Sequence, residues 1–175
     1  MRRIFLIGYM GAGKTTVGRA LAKRTGLAFI DLDHYIESRY LRSVPQLFQE
    51  EGEARFRQIE QKMLREVAQF EDVIISTGGG APCFSDNMAL MNEAGRTVYL
   101  SVSVAELTKR LEVCKGTRPV LKGRTGAELE AFVAESLAKR EPYYRQASVV
   151  LDAEVMLTDT DVETITIALQ KIILS

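Results

Sequence analysis

Residues 8–15 read Gly-Tyr-Met-Gly-Ala-Gly-Lys-Thr and follow directly on the apolar run Ile4-Phe5-Leu6-Ile7. The spacing G-x-x-x-x-G-K-T is what a phosphate cradle requires. Glycines let the backbone turn its N–H groups toward one point and keep side chains out of an anion's path. A helix beginning near Lys14 adds its positive N-terminal end. Lys14 can then reach the β and γ phosphates of a nucleotide, and the Thr15 hydroxyl can ligate its Mg²⁺. The alternative for the same letters is a glycine-rich strand-to-helix turn without a ligand.

Four further clusters could do chemistry. Asp31 and Asp33 stand where the run Ala28–Asp31 ends, and in extended chain an i, i+2 pair points to one face. One could hold Mg²⁺ through water, and the other could accept a hydroxyl proton. Alternatively Asp33 only caps the helix that follows. Second, in Glu53–Phe70 the residues Phe56, Ile59, Met63, Leu64, Val67 and Phe70 fall in one helical arc roughly 140° wide. Glu60 lands inside that arc and Arg57 at its edge, so a carboxylate on a core face meets an arginine at i−3. Such an arginine is held rigid with its fork available to an anion; the pair could also be self-contained.

Third, Ser76-Thr77-Gly78-Gly79-Gly80 follows an apolar run. Three glycines admit a ligand close to the backbone, unless they form only a flexible turn. Ser76 at the strand end is placed to help hold the water shell of Mg²⁺. Fourth, Arg140 comes near a helix end before Pro142, and Arg110 ends a helical face just before the glycine-rich basic stretch Lys115–Gly126. Sequence physics alone does not distinguish these two arginines from solvated surface charge. The 115–126 stretch reads as a mobile lid or as a plain exposed loop.

The elements that must position these groups alternate. Short apolar runs at 3–7, 28–31, 72–76, 97–101 and 148–152 predict strands. Helical patterning occupies about 14–25, 33–41, 53–69, 85–94, 104–114, 126–141 and 161–174. Alternation of this kind predicts a parallel sheet covered on both faces. A length of 175 residues fits one domain. Lysine plus arginine equals aspartate plus glutamate at 23 each, so the basic excess of a nucleic-acid binder is missing. No run approaches the roughly 18 apolar residues of a membrane span. Cys83 and Cys114 form no CxxC pair, which fits a reducing cytoplasm rather than a disulfide or metal framework.

Taken together, GYMGAGKTTVGRALAKRTG, FIDLD, GEARFRQIE, STGGGA, TRPVL and AKREPYYRQ, in this order, resemble the shikimate kinase family over nearly the whole chain. The resemblance implies a three-layer α/β P-loop fold like that of nucleoside monophosphate kinases. Its five-stranded parallel sheet would run 2-3-1-4-5, with a mobile lid at about 112–125 and a substrate-binding helical region at about 33–62. It implies transfer of the ATP γ-phosphate to the 3-hydroxyl of shikimate, in the route to chorismate, by a cytoplasmic monomer using Mg²⁺. By the same resemblance Gly11, Ala12, Gly13, Lys14, Thr15 and Thr16 would cradle the ATP phosphates. Lys14 would sit on the transferring phosphate, with Thr15 on Mg²⁺ and Asp31 and Ser76 touching the ion through water. Asp33 would bind the ring hydroxyls and orient or deprotonate the attacking oxygen. Arg57 and Arg140 would clamp the carboxylate, with Glu60 orienting Arg57. Gly78, Gly79 and Gly80 would contact substrate through their backbone. Arg118 corresponds to the lid arginine, and Arg110 to the arginine that packs on adenine. After the last strand the chain reads DAEVML, without the basic residue some members carry there. Two rival readings are another small-molecule kinase of this fold, for quinate, gluconate or a nucleotide, and a nucleotide-binding module without phosphoryl transfer. No N-K-x-D guanine motif is present, which disfavours a GTPase.

Overall fold

The structure, a computed structural model, describes residues 2–114, 121, 123–156 and 158–174. Arg118 and half of the expected lid lie outside the described residues. The chain runs β1 (Arg3–Ile7), α1 (Lys14–Thr25), β2 (Ala28–Asp31), α2 (Leu32–Tyr40), α3 (Val44–Val67) and β3 (Val73–Ser76). It continues through a 3₁₀ turn (Ala81–Cys83), α4 (Asn87–Ala94), β4 (Arg96–Ser101), α5 (Val104–Cys114), α6 (Gly126–Tyr144), β5 (Val149–Asp152) and α7 (Asp159–Leu174). The sheet is parallel throughout in the order β2-β3-β1-β4-β5.

β1 is central, and Ile4, Phe5, Leu6 and Ile7 are all buried, as a parallel strand covered on both faces must be. α1 packs on α7, α2 on α3, and α5 on α6. The connections after β1 and after β3 leave these adjacent strands in opposite directions. A crevice therefore opens at the carboxyl ends of β1 and β3, the place where open α/β sheets bind ligands. The phosphate loop follows β1 and the triple glycine follows β3, so the two motifs face one crevice. Among the described residues no helix is long and apolar enough to cross a membrane.

The helical boundaries differ from expectation most at α3 and α6. α3 begins at Val44 rather than 53 because Ser43 and Gln46 form a capping box with Pro45 in the first turn. Gly52 (φ 78°, ψ 167°) kinks the helix, and only the half after the kink carried clear periodicity. Phe70, placed in the apolar arc by the helical wheel, lies past the end of α3 and is exposed. α6 runs through Pro142 to Tyr144, because Tyr144 is fully buried and packs on Tyr99 at 5.2 Å between ring centroids. Asp33 lies in the first turn of α2, not in extended chain, so its direction is set by a helix.

Candidate active site

The phosphate loop closes tightly before α1. Gly13 is the N-cap of α1 in a left-handed conformation (φ 90°) that side chains other than glycine rarely adopt. Lys14 is 9% exposed and donates from Nζ to the carbonyls of Gly8 (2.8 Å) and Tyr9 (2.9 Å). A buried ammonium resting on neutral carbonyls is one that an incoming phosphate can draw away. Ala12 is buried in the loop, whereas Thr16 is exposed on the first turn of α1.

Beside the loop, strand register brings Asp31 opposite Ser76 across β2 and β3. The Thr15 hydroxyl donates to Asp31 Oδ2 at 2.9 Å. Asp31 Oδ1 accepts from the backbone N–H groups of Asp33 and His34, so Asp31 and not Asp33 caps α2. A hydroxyl, a carboxylate and a second hydroxyl at one strand edge make a hard-oxygen donor set of low charge. Such a set suits Mg²⁺ that arrives on a triphosphate with several waters. Among the described residues no group of three or more His, Cys, Asp or Glu could hold a metal by itself.

The triple glycine is where the remaining groups meet. A Cβ on Gly78 would lie 2.9 Å from Asp33 Oδ1 and 3.4 Å from Glu60 Oε1. On Gly79 it would lie 3.4 Å from the Met10 amide nitrogen and 3.5 Å from both the Gly8 carbonyl and Arg140 Nη1. On Gly80 it would lie 2.7 Å from Arg57 Nη2. Three consecutive residues thus touch the carboxylate pair, the phosphate loop with one arginine, and the other arginine. Glycine is required here by close approach, since none of the three has a positive φ.

Each charged group has its own support. Arg57 donates from Nη1 to Glu60 Oε2 at 2.8 Å and from Nη2 to Glu53 Oε1 at 3.3 Å. Its guanidinium also lies over the rings of Phe84 (4.1 Å), Phe56 (5.4 Å) and Phe48 (5.5 Å). Glu60 is 1% exposed, as its place in the apolar arc predicted. Burial raises the proton affinity of Glu60 by more than Arg57 lowers it, and Asp33 adds to the rise. Burial likewise raises Asp33 above the ordinary aspartate value, with Asp31 adding to the rise and Lys14 opposing it. A carboxyl group in such a place is a better proton acceptor than an exposed aspartate.

Arg110 stands apart from the acid-binding side. Its donors reach Glu106 Oε1 (2.8 Å), the Gly11 carbonyl (3.3 Å) and the carbonyls of Ala153 (3.0 Å) and Glu154 (2.8 Å). These bonds tie α5 to the phosphate loop and to the segment after β5. They engage all three guanidinium nitrogens and leave the face of the guanidinium to a base.

Sequence reasoning missed three residues. Met156 covers the phosphate loop: a Cβ on Gly13 would run into its Cε methyl. Tyr144 donates from its hydroxyl to the Gly79 carbonyl at 2.5 Å. It lies one helical turn after Arg140, a spacing that could have signalled it. Tyr9, inside the motif, is buried beneath Arg140.

The family described as shikimate kinase matches residues 10–170 of the chain. A shikimate kinase of Parabacteroides distasonis is 67% identical, over 99% of this chain and 100% of the relative. The crystal structure of a shikimate kinase from Bacteroides thetaiotaomicron superposes with a TM-score of 0.96 at 49% identity, covering 99% of each chain. A shikimate kinase from Acinetobacter baumannii solved in complex with shikimate gives a TM-score of 0.84 at 34% identity, over 98% of this chain and 93% of that one. With sheet order, crevice and full-length kinship in agreement, the chain belongs to the shikimate kinase family.

Proposed function

We propose that the chain transfers the γ-phosphate of ATP to the 3-hydroxyl of shikimate, releasing shikimate 3-phosphate and ADP, with the roles of its residues as follows. The amides of Gly11–Thr16 cradle the phosphates, and Lys14 moves from its two carbonyls onto the transferring group. Arg57, oriented by Glu60, and Arg140 grip the substrate carboxylate, and the backbone of Gly78–Gly80 lies against the ring. Asp33 takes the proton of the 3-hydroxyl as that oxygen bonds to γ-phosphorus. The bond from γ-phosphorus to the bridging oxygen breaks, and its electron pair leaves on ADP. Arg118, carried by the lid, adds positive charge over the phosphates, and closure excludes water. Thr15, with Asp31 and Ser76 through water, would hold Mg²⁺, which would neutralise charge on the nucleotide phosphates. The protein acts as a single-domain monomer in the cytoplasm, where Cys83, its thiol pushed up to about 11 by burial, stays protonated.

The observation that carries this reading is the convergence on Gly78–Gly80 of a proton-accepting carboxylate, two arginines and the phosphate loop. A non-catalytic module has no use for an acceptor carboxylate beside a pair of anion-binding arginines. The test is ADP release measured with shikimate, quinate, gluconate and nucleoside monophosphates as acceptors. Shikimate is expected to support turnover, and turnover with another acceptor but not with shikimate would overturn the assignment.

A further inference from the structure

Arg57 and Arg140 reach the same glycine turn on different supports. Arg57 is fixed by two carboxylates. Arg140 has no carboxylate within ion-pair distance among the described residues, yet it is half-buried and its Nη1 is aimed at Gly79. A flexible, charged side chain with no carboxylate partner needs some other restraint to hold one direction. The Tyr144 hydroxyl lies beside Arg140, whose guanidinium carbon lies 5.4 Å from the centroid of the Tyr9 ring. Tyr9 is 1% exposed and belongs to the phosphate loop, and its own carbonyl accepts from Lys14 Nζ.

The Tyr9 hydroxyl sharpens the point. It is buried and has no hydrogen-bond partner among the described residues. The ring meets Arg140 through its aromatic face, which attracts a cation by its quadrupole.

We infer that Tyr9 is a positioning residue for the acid substrate: its ring holds Arg140 toward Gly79 and so joins the phosphate loop to the carboxylate-binding side of the crevice. The inference rests on the reading above that Arg140 binds the substrate carboxylate. Tyr9 is buried and acts through Arg140.

The test is a series at position 9 with Tyr9→Phe as its reference, beside Arg140→Ala. Tyr9→Leu removes the quadrupole and is expected to raise the KM for shikimate about fivefold to tenfold over the reference. The KM for ATP and kcat should move by less than about twofold, since a cation–ring contact of this size is confined to Arg140. Incorporation of pentafluorophenylalanine keeps the shape of the ring while reversing its quadrupole, and should raise the shikimate KM in the same direction with little change in Tm. This arm serves if the leucine variant does not fold. A shikimate KM that is flat across the series would overturn the inference, and so would equal rises for shikimate and ATP. If Arg140→Ala itself leaves the shikimate KM unchanged, the failure lies in the reading of Arg140 and not in the contact with Tyr9.

Discussion

Arginines occupy both ends of the sheet, and they are treated differently. At the amino ends of the strands, Arg3 donates from Nε to the Phe70 carbonyl (2.6 Å) and from Nη1 to the Ala94 carbonyl (3.0 Å). Arg96 donates to the Ile172 carbonyl. These acceptors lie at or just beyond the last turns of α3, α4 and α7, where helices leave carbonyls without partners. At the carboxyl ends, Arg57 rests on Glu60 and three rings, and Arg140 on a tyrosine ring. An arginine whose donors end on backbone carbonyls closes the fold. An arginine held by rings, with donors left facing a glycine turn, is held ready for an anion. By this criterion Arg110, with its fork on three carbonyls and Glu106, resembles the structural end although it borders the phosphate loop.

The sharpest test of the division is at Asp33, whose carboxylate makes no hydrogen bond or ion pair among the described residues. Asp33→Asn is expected to lower kcat by about 10²- to 10⁴-fold, the usual range for a lost general base, with the KM for ATP little changed. In the parent protein burial and Asp31 raise the proton affinity of Asp33. The acid limb of the kcat profile should therefore begin at a higher pH than an ordinary aspartate would give. An unchanged rate in the variant would remove Asp33 from the chemistry.

Arg57→Ala and Arg140→Ala come next. Each removes a charge-assisted anchor of about 1.5–3 kcal/mol, so each should raise the shikimate KM by about 10- to 150-fold and leave that of ATP nearly unchanged. The two should part in stability. Arg57→Ala strands Glu60, which is 1% exposed, and should cost about 3 kcal/mol at neutral pH. Arg140→Ala strands no carboxylate. The sign of the pH dependence follows from Glu60. Its folded-state proton affinity is already raised, and loss of Arg57 raises it further. Below the unfolded carboxylate range both states hold the proton and the cost is absent. As pH rises through the folded value the native state must bury a charge, so stability is lost. The gap in Tm between Arg57→Ala and its parent should widen from acid to neutral pH. A constant gap would mean that the pair is not electrostatic.

The comparison also separates what was legible in the letters from what was not. Lys14, Thr15 and the glycines could be read because backbone geometry and phosphate chemistry restrict the residue types at each step. Glu60 could be read because a carboxylate inside an apolar arc contradicts its surroundings. Strand order was not derivable from periodicity and came from kinship, since pairing between β1 and β3 is a long-range choice. The first half of α3 was missed because Gly52 interrupts the pattern, although Ser43, Pro45 and Gln46 mark its start. Tyr9 and Tyr144 were missed for a deeper reason. A tyrosine in a core looks the same whether it fills space or props an arginine, and only the packed geometry tells them apart.

Arg3 offers the smallest effect and the cleanest contrast. Arg3→Ala removes two donors from carbonyls beyond α3 and at the end of α4. At about 1 kcal/mol for each bond the loss is about 2 kcal/mol, or roughly 4–8 °C in Tm for a chain of this size. Arg3→Lys keeps the charge but not the fork, and a single ammonium cannot span both carbonyls as a guanidinium does. It should recover less than the whole of the difference. Kinetic constants for shikimate and ATP should match the parent in both variants when assayed well below Tm, because Arg3 and the crevice lie at opposite ends of β1. A raised shikimate KM in Arg3→Ala would break the division between the two ends. It would mean that the helices which carry Arg57 and the triple glycine are aligned from below, by the carbonyls that Arg3 joins.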